Sequence, residues 1–283
     1  MSDDFIFTSE SSTAGHPDKL CDQVSDAIVD HYLSKDPYSR IVAECAVSSG
    51  VMFISTHYAS QARLDIPQIA RDVVREIGYS KSVFDADACT IMTSFTDHTL
   101  SDYAALDLEQ LSEAQLGEIT AKHQVTLFGY ACDQTAALLP LPIWLAHRLA
   151  ERLASTKVVK KLPYLLPDGK TQVGVEYVAG EPRRIHSITL VASQTGAEAA
   201  SLEQLRHDLV EQVVKPVLKN EAHDLDDQTR IFVNPEGALI GGGPAAHSGL
   251  TGRKTGMDTY GEYARHSGTA LSGKDPLRID RIG

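Results

Sequence analysis

The stretch "RIVAECAVSSGVMFISTHY" (Arg40–Tyr58) decides the fold of the first part of the chain. Apolar residues alternate through its first half, "SSG" predicts a turn, and "VMFISTHY" is typical of a second strand. The next segment, "IPQIARDVVREIG" (66–78), has apolar residues at helical spacing and ends in a glycine. A further strand is predicted for "ACTIMTSF" (88–95). The predicted order is therefore hairpin, helix, strand.

The same order of elements returns about a hundred residues later. A hairpin is predicted from "TQVGVEYV" and "RRIHSITLVAS", a helix from "SLEQLRHDLVEQVVKPVL", and a closing strand from "TRIFVNP". Two ββαβ units in one chain indicate an internal repeat, although hairpins and helices are common enough to recur by chance. The sequence therefore predicts an α+β protein.

This pattern divides the chain into four parts. The first ββαβ unit covers 13–100, and the polar segment 101–125 is predicted to be a mobile connection or lid. The second unit covers 126–235 and is expected to include an N-terminal strand within 1–12. The remaining segment, 236–283, holds about half of the chain's 20 glycines. Such density brings backbone N–H groups close to a ligand or makes tight turns.

Composition narrows the class of protein. The 283 residues carry a formal net charge of −12, which disfavours nonspecific nucleic-acid binding. No apolar run is long enough for a membrane span, and the N-terminus has no signal-peptide pattern. The four cysteines lack CxxC spacing, so we expect free thiols and a cytoplasmic location. Bases outnumber acids after residue 250, which indicates a site for a small anion.

The tightest group of chemically active residues is "GHPDK", where His16, Asp18 and Lys19 fall in the first turn of a predicted helix. A helix N-terminus offers free N–H groups and a positive dipole end, which favour a phosphate chain and its metal. The alternative is an ordinary capped helix in which Asp18 only stabilises the helix end.

Three other stretches offer cations beside glycines. "GTALSGKD" contains GxxxxGK, but Asp275 and Pro276 replace the Ser/Thr and helix of a P-loop, so only Lys274 is kept as a phosphate contact. "GLTGRK" offers Arg253 and Lys254, and "PDGK" offers Lys170. Each motif alone is also compatible with an ordinary basic turn.

Seven blocks together resemble the S-adenosylmethionine synthetase (methionine adenosyltransferase) family. They occur in the family's order between Phe7 and Arg281: "FTSESSTAGHPDKLCDQVSDAIVD", "FGYACDQT", "LPLPIWLAHRL", "LPDGKTQV", "FVNPEGALIGGGP", "SGLTGRKTGMDTYG" and "SGKDPLRIDR". The resemblance implies repeated ββαβ domains about a pseudo-threefold axis, with the third repeat incomplete or missing here. It also implies active sites shared between two subunits of a dimer, often within a tetramer.

The resemblance further implies the reaction and its residues. The sulfur of methionine attacks C5′ of ATP and expels triphosphate, which water then splits to phosphate and diphosphate. The implied catalytic residues are His16, Lys170, Arg253 and Lys274, with Lys254 and Arg278 as further phosphate contacts. Asp18 and Asp280 are implied to hold Mg²⁺, and Glu44 is implied to hold K⁺.

This chain departs from the family's pattern at the positions expected to bind the amino-acid substrate. Four positions expected to line the acceptor pocket are histidines: His57, His98, His123 and His247. Losing the carboxylate partner of an ammonium group predicts weaker methionine binding. The histidines then indicate another acceptor, a transition-metal site, or a pocket that no longer binds methionine.

Three functions follow as alternatives. The first is an adenosyltransferase that uses ATP and methionine or an analogue. The second is an ATP-consuming relative with a non-methionine acceptor, or a hydrolase that releases triphosphate. The third is a noncatalytic subunit that partners a full-length synthetase. We expect obligate association, as a homodimer or tetramer or with a second chain that supplies the third repeat.

Overall fold

The structure is a computed structural model that describes residues 4–98, 110–118, 124–196, 198–219, 221 and 223–282. His123 and most of the predicted lid at 101–125 lie outside the described residues. None of the helices in the described ranges is long and apolar enough to cross a membrane.

The strands and helices follow one another in a mixed α+β order. They are β1 (Phe5–Ser12), α1 (Pro17–Lys35), β2 (Arg40–Ser48), β3 (Val51–Ala59), α2 (Ile66–Ile77), β4 (Thr90–Asp97), α3 (Glu113–Gly117), α4 (Leu141–Ala154), α5 (Thr156–Lys161), β5 (Leu165–Val178), β6 (Glu181–Gln194), α6 (Leu202–Leu209), a π-helical turn (Val210–Val214), α7 (Lys215–Leu218), β7 (Arg230–Val233), β8 (Leu239–Ile240), β9 (Gly249–Leu250), α8 (Thr255–Asp258) and α9 (Ile279–Ile282).

The first sheet has the strand order β4-β3-β2-β9. β2 and β3 form the predicted antiparallel hairpin, and α2 crosses over to bring β4 parallel to β3. Helices α1 and α2 cover one face, where alternate residues of β2 are buried against Leu20, Val24 and Ile28 of α1. The other face carries large exposed apolar side chains: Val51, Phe53, Met92 and Leu250.

The second sheet repeats this connectivity. Its main strand order is β1-β5-β6-β7, with β8 paired to β6. β5 and β6 are antiparallel, and the α6–α7 segment crosses over to bring β7 parallel to β6. Its core joins α4 and α6–α7 to the sheet through residues such as Leu145, Leu149, Val173, Ile188 and Leu209. The chain therefore contains two ββαβ units with the same topology, as the sequence predicts for the fold class.

The glycine-rich C-terminal segment runs along the free edge of β2. β9 pairs with Ala46 and Val47 near one end of β2. Farther along, the Ala43 N–H donates to the Gly273 carbonyl (2.7 Å) and the Asp275 N–H to the Ile41 carbonyl (3.1 Å). The segment thus docks on the first sheet at two points, and each point carries basic residues.

Asp275 explains why the GxxxxGK stretch does not form a P-loop. Its buried carboxylate accepts the Ile41 N–H (2.8 Å) and the Leu277 N–H (3.0 Å). The bond from Ile41 fixes the turn to the edge of β2, and the bond from Leu277 holds the turn's own backbone. A Cβ at Gly273 would overlap the Ala43 carbonyl, so only glycine allows this close approach.

Candidate functional site

The N-terminus of α1 holds a histidine and a carboxylate in defined orientations. Pro17 opens the helix, and the Asp18 N–H donates to Nδ1 of His16, which caps it (3.1 Å). Asp18 Oδ1 accepts the Leu250 N–H from β9 (3.0 Å). Both His16 and Asp18 are buried. The helix end therefore holds an anionic group where its dipole favours one.

Three cations surround these groups. Arg253 Nη1 lies 3.4 Å from Asp18 Oδ1, and Lys254 Nζ lies 3.6 Å from Asp18 Oδ2. Lys254 also lies 3.4 Å from Glu10 of β1, and Lys170 of β5 lies 3.9 Å from the same Glu10 oxygen. We call His16, Asp18, Glu10, Lys170, Arg253 and Lys254 the α1 cluster. It draws its residues from four separate parts of the chain.

Thr251 and two glycines fix the basic pair in this cluster. The Thr251 hydroxyl lies 2.7 Å from Ser25 Oγ and accepts the Cys45 N–H (2.9 Å). The Gly252 N–H donates to Asp22 Oδ1 (2.8 Å). A Cβ at Gly249 would overlap the Pro17 carbonyl. Small residues therefore let "GLTGRK" lie directly against the first turn of α1.

The surroundings of His16 lower the pKa of its imidazole. Burial lowers the pKa of its imidazole to about 4, although the Asp168 carboxylate opposes the shift; His247 and Lys170 reinforce it. The ring is therefore neutral at pH 7. Since Nδ1 accepts the Asp18 N–H, the hydrogen-bond pattern assigns the single ring proton to Nε2.

A second histidine lies beside His16. The two rings of His16 and His247 have centroids 4.8 Å apart in an edge-to-face arrangement. His247 Nε2 lies 2.9 Å from Oδ2 of the buried Asp168, and that oxygen also accepts the Gly243 N–H (2.7 Å). Asp168 is not among the residues that the sequence predicts for the site. The sequence feature that could have identified Asp168 is its position two residues before Lys170, because residues i and i+2 of a strand share a face.

Lys274 and Asp280 lie elsewhere. They form an ion pair of 2.8 Å, which we call the β2-edge pair. Lys274 lies opposite Val42 of β2, whereas β9 pairs with Ala46 of the same strand. These two positions of β2 are four residues apart, a distance of roughly 13 Å along the strand. The Arg278 N–H donates to the Asp275 carbonyl in the same turn. Among the described residues, no hydrogen bond or ion pair joins this pair to the α1 cluster.

The remaining predicted residues lie on the outer face of the first sheet. Glu44 is exposed there and lies opposite Ser55. His57 stacks on His98, with ring centroids 5.9 Å apart. The histidines predicted for the acceptor pocket are thus separated: His57 and His98 lie together, His247 adjoins the α1 cluster, and His123 lies outside the described residues.

Comparison with known proteins gives consistent matches along the chain. Family models match residues 4–99 (S-adenosylmethionine synthetase, N-terminal domain), 118–239 (central domain) and 241–283 (C-terminal domain). The chain is similar to an S-adenosylmethionine synthase of Thermosynechococcus vestitus (strain NIES-2133 / IAM M-273 / BP-1), with 44% identity over 290 residues. The match covers 98% of this chain and 70% of that relative.

Proposed function

Because this chain belongs to the S-adenosylmethionine synthetase family, we propose that it transfers the adenosyl group of ATP to L-methionine and produces S-adenosylmethionine. The observation that carries the proposal is the α1 cluster. It combines a helix N-terminus, a carboxylate suited to a divalent ion, and three cations suited to a phosphate chain.

The charges of the cluster match the needs of the leaving group. As the C5′–O bond of ATP breaks, the departing triphosphate gains negative charge, so cations held in advance lower the barrier. Arg253, Lys254 and Lys170 supply these charges beside the helix end. Glu10 and Asp18 hold them in place before the nucleotide binds.

His16 is proposed to assist at the oxygen that leaves C5′. Its neutral ring presents an Nε2–H donor, and its Nδ1 is fixed by the helix backbone. A neutral donor can hydrogen-bond to an oxygen that gains charge without first losing a proton. Removing one such donor typically slows the chemical step by about 10²–10³-fold.

The family uses metal ions, and we propose Mg²⁺ at Asp18 and Asp280 and K⁺ at Glu44. Carboxylate oxygens are the hard ligands that these cations prefer, so the donor atoms fit. Mg²⁺, when bound, would neutralise part of the triphosphate charge. Lys274, now paired with Asp280, and the neighbouring Arg278 are proposed as further phosphate contacts.

The separation of the β2-edge pair from the α1 cluster supports a site shared between two copies of the chain. We propose a homodimer or larger oligomer in which one copy supplies the α1 cluster and its partner supplies Lys274 and Asp280. A cytoplasmic location, the predicted domain boundaries and a second completing chain stay predictions from the sequence.

One assay tests the function. The protein is incubated with ATP, Mg²⁺ and K⁺, with and without methionine, and adenosyl products and phosphates are identified by mass spectrometry. S-adenosylmethionine that appears only with methionine is the expected result. Triphosphate released without methionine would instead favour the hydrolase, and no turnover would favour the noncatalytic subunit.

A matched pair of variants ties the activity to the cluster. Lys254→Met removes a cation that contacts Asp18 and Glu10, whereas Lys160→Met removes an exposed lysine of α5. We expect the first variant to lose activity by at least tenfold and the second to keep it. Equal activities would contradict the proposed role of the cluster.

A further inference from the structure

His16 and His247 carry complementary hydrogen-bonding groups although their rings are in contact. His16 uses Nδ1 as an acceptor for the Asp18 N–H, which leaves Nε2–H as a donor. His247 faces a carboxylate with Nε2, and Oδ2 of Asp168 also accepts the Gly243 N–H, so His247 Nε2 is the donor in that pair. The lone pair of His247 therefore lies on Nδ1.

Asp168 and His247 have the arrangement of a general base and its orienting acid. Asp168 is buried and fixed by a backbone N–H, and it is 2.9 Å from the His247 ring. A carboxylate in this position fixes the tautomer and stabilises the imidazolium that forms when the ring takes a proton. The His247 side chain is 39% exposed, so a small molecule can reach it.

The same three side chains could instead be metal ligands, since their ligand atoms all lie within 4.8 Å of one another. The tautomers argue against this. In His16, Nδ1 already accepts a backbone N–H and Nε2 carries the proton, so neither nitrogen offers a free lone pair. Metal-bound histidines normally donate, rather than accept, through the second ring nitrogen.

We propose that His247 is a general base for the acceptor and that the site accepts thiols as well as a thioether. This inference rests on the proposed adenosyl transfer. A thioether has no proton to lose, so a base beside the reacting carbon would serve no purpose for methionine. A thiol does have a proton to lose, and the pKa of an ordinary thiol, about 8.5, is only about 2 units above that of free imidazole. Water, at about 15.7, is far less accessible to such a base.

The step is balanced without a redox partner. The thiol sulfur forms a bond to C5′ while its proton passes to Nδ1 of His247. The C5′–O bond breaks, and its electron pair leaves with the triphosphate, whose oxygen accepts a hydrogen bond from Nε2–H of His16. Attack and departure occur on opposite sides of one carbon, so adjacent rings with opposite roles fit the two ends of the reaction. The product is an adenosyl thioether.

The test compares two acceptors that differ by one S-methyl group, L-methionine and L-homocysteine. The full chain is assayed with ATP and Mg²⁺, and the adenosyl products are measured by mass spectrometry. We expect product from both. His247→Asn, which keeps a polar side chain but cannot take a proton, should slow the thiol reaction by about 10²-fold or more. It should slow the methionine reaction by less than tenfold.

Controls separate the base from a structural role. His31→Asn changes an exposed histidine far along α1 and should leave both rates unchanged. Asp168→Asn should slow the thiol reaction preferentially, as His247→Asn does, and circular dichroism checks that each variant is folded. An equal loss with both acceptors in His247→Asn would overturn the assignment.

The remaining outcomes are also decisive. Product from methionine alone would overturn this inference and leave the proposed function intact. Product from neither acceptor would overturn both. Stoichiometric Zn²⁺ binding that is lost in both His16→Asn and His247→Asn would show that His16, Asp168 and His247 form a metal site. That result would overturn the role of His247 as a general base.

Discussion

The α1 cluster and the β2-edge pair are both built where the glycine-rich segment docks on β2, yet they differ in how complete they are. In the α1 cluster, which draws side chains from four parts of the chain, the buried Asp18 carboxylate contacts Arg253 and Lys254 and accepts the Leu250 N–H. The β2-edge pair consists of two side chains six residues apart in sequence that neutralise each other. One is a site formed in advance, and the other must exchange its ion pair for a ligand.

The largest effect is expected at the carboxylate of the α1 cluster. Asp18→Asn removes the charge that holds Arg253 and Lys254 and that is proposed to bind metal. We expect the rate of S-adenosylmethionine formation to fall by about 10²–10³-fold. Asp72→Asn on the exposed side of α2 is the matched control and should keep full activity. Comparable rates for the two variants would remove Asp18 from the mechanism.

A mixing experiment tests whether the two regions serve the same reaction from different copies. Asp18→Asn and Lys274→Met should each be inactive alone. After subunit exchange, about half of the dimers are mixed, and one of the two sites in each mixed dimer is intact. About a quarter of wild-type activity should therefore return.

The control for mixing combines Asp18→Asn with a chain that carries both substitutions, since no intact site can form. If the first mixture is no more active than this control, the two regions do not complete each other across a dimer.

A smaller effect is expected where the α1 cluster is held together. Thr251→Val keeps the shape of the side chain but removes the hydroxyl that contacts Ser25 and the Cys45 N–H. Displacement of the neighbouring basic pair should lower kcat by about tenfold, since one lost hydrogen bond to a partly buried group costs about 1–3 kcal/mol. Thr251→Ser should restore most of the activity. A stable but fully active Thr251→Val would contradict a positioning role.

The smallest effect concerns pH and His147, which lies beside β1 with Nδ1 2.9 Å from Ser11 Oγ. Burial lowers the pKa of this ring in the folded protein below 6.5. The unfolded chain then binds more protons below about pH 6.5, so this residue makes stability decrease as the pH falls through that range. His147→Gln should flatten the dependence by about 1.4 kcal/mol for each unit by which the pKa is lowered. Denaturant unfolding at several pH values measures the free energy of unfolding of the two proteins. The same pH dependence in His147→Gln and the wild type would exclude the effect.

Local sequence patterns predict the elements of the fold better than they predict the contacts that build the site. The two ββαβ units follow from local patterns, because alternation and helical spacing act over a few residues and the crossover helices then fix strand direction. The start of α1 is predicted from an equally local signal, since Pro17 and the residues after it lie within one turn.

Contacts between distant residues could not be predicted in the same way. Asp168 and His247 are 79 positions apart, and nothing in either local motif indicates that they meet. The sequence marks Asp275 only as a mismatch to a P-loop, whereas in the structure its carboxylate accepts the Ile41 N–H and holds the turn to β2. The family resemblance supplied Lys274 and Asp280 as site residues, but their ion pair at the edge of β2 required the structure.

The most direct test of the α1 cluster as the triphosphate site is calorimetric titration with Mg²⁺-tripolyphosphate. We expect one bound tripolyphosphate per chain and an affinity at least tenfold weaker in Lys254→Met, with Lys160→Met indistinguishable from the wild type. Equal affinity in all three proteins would contradict it.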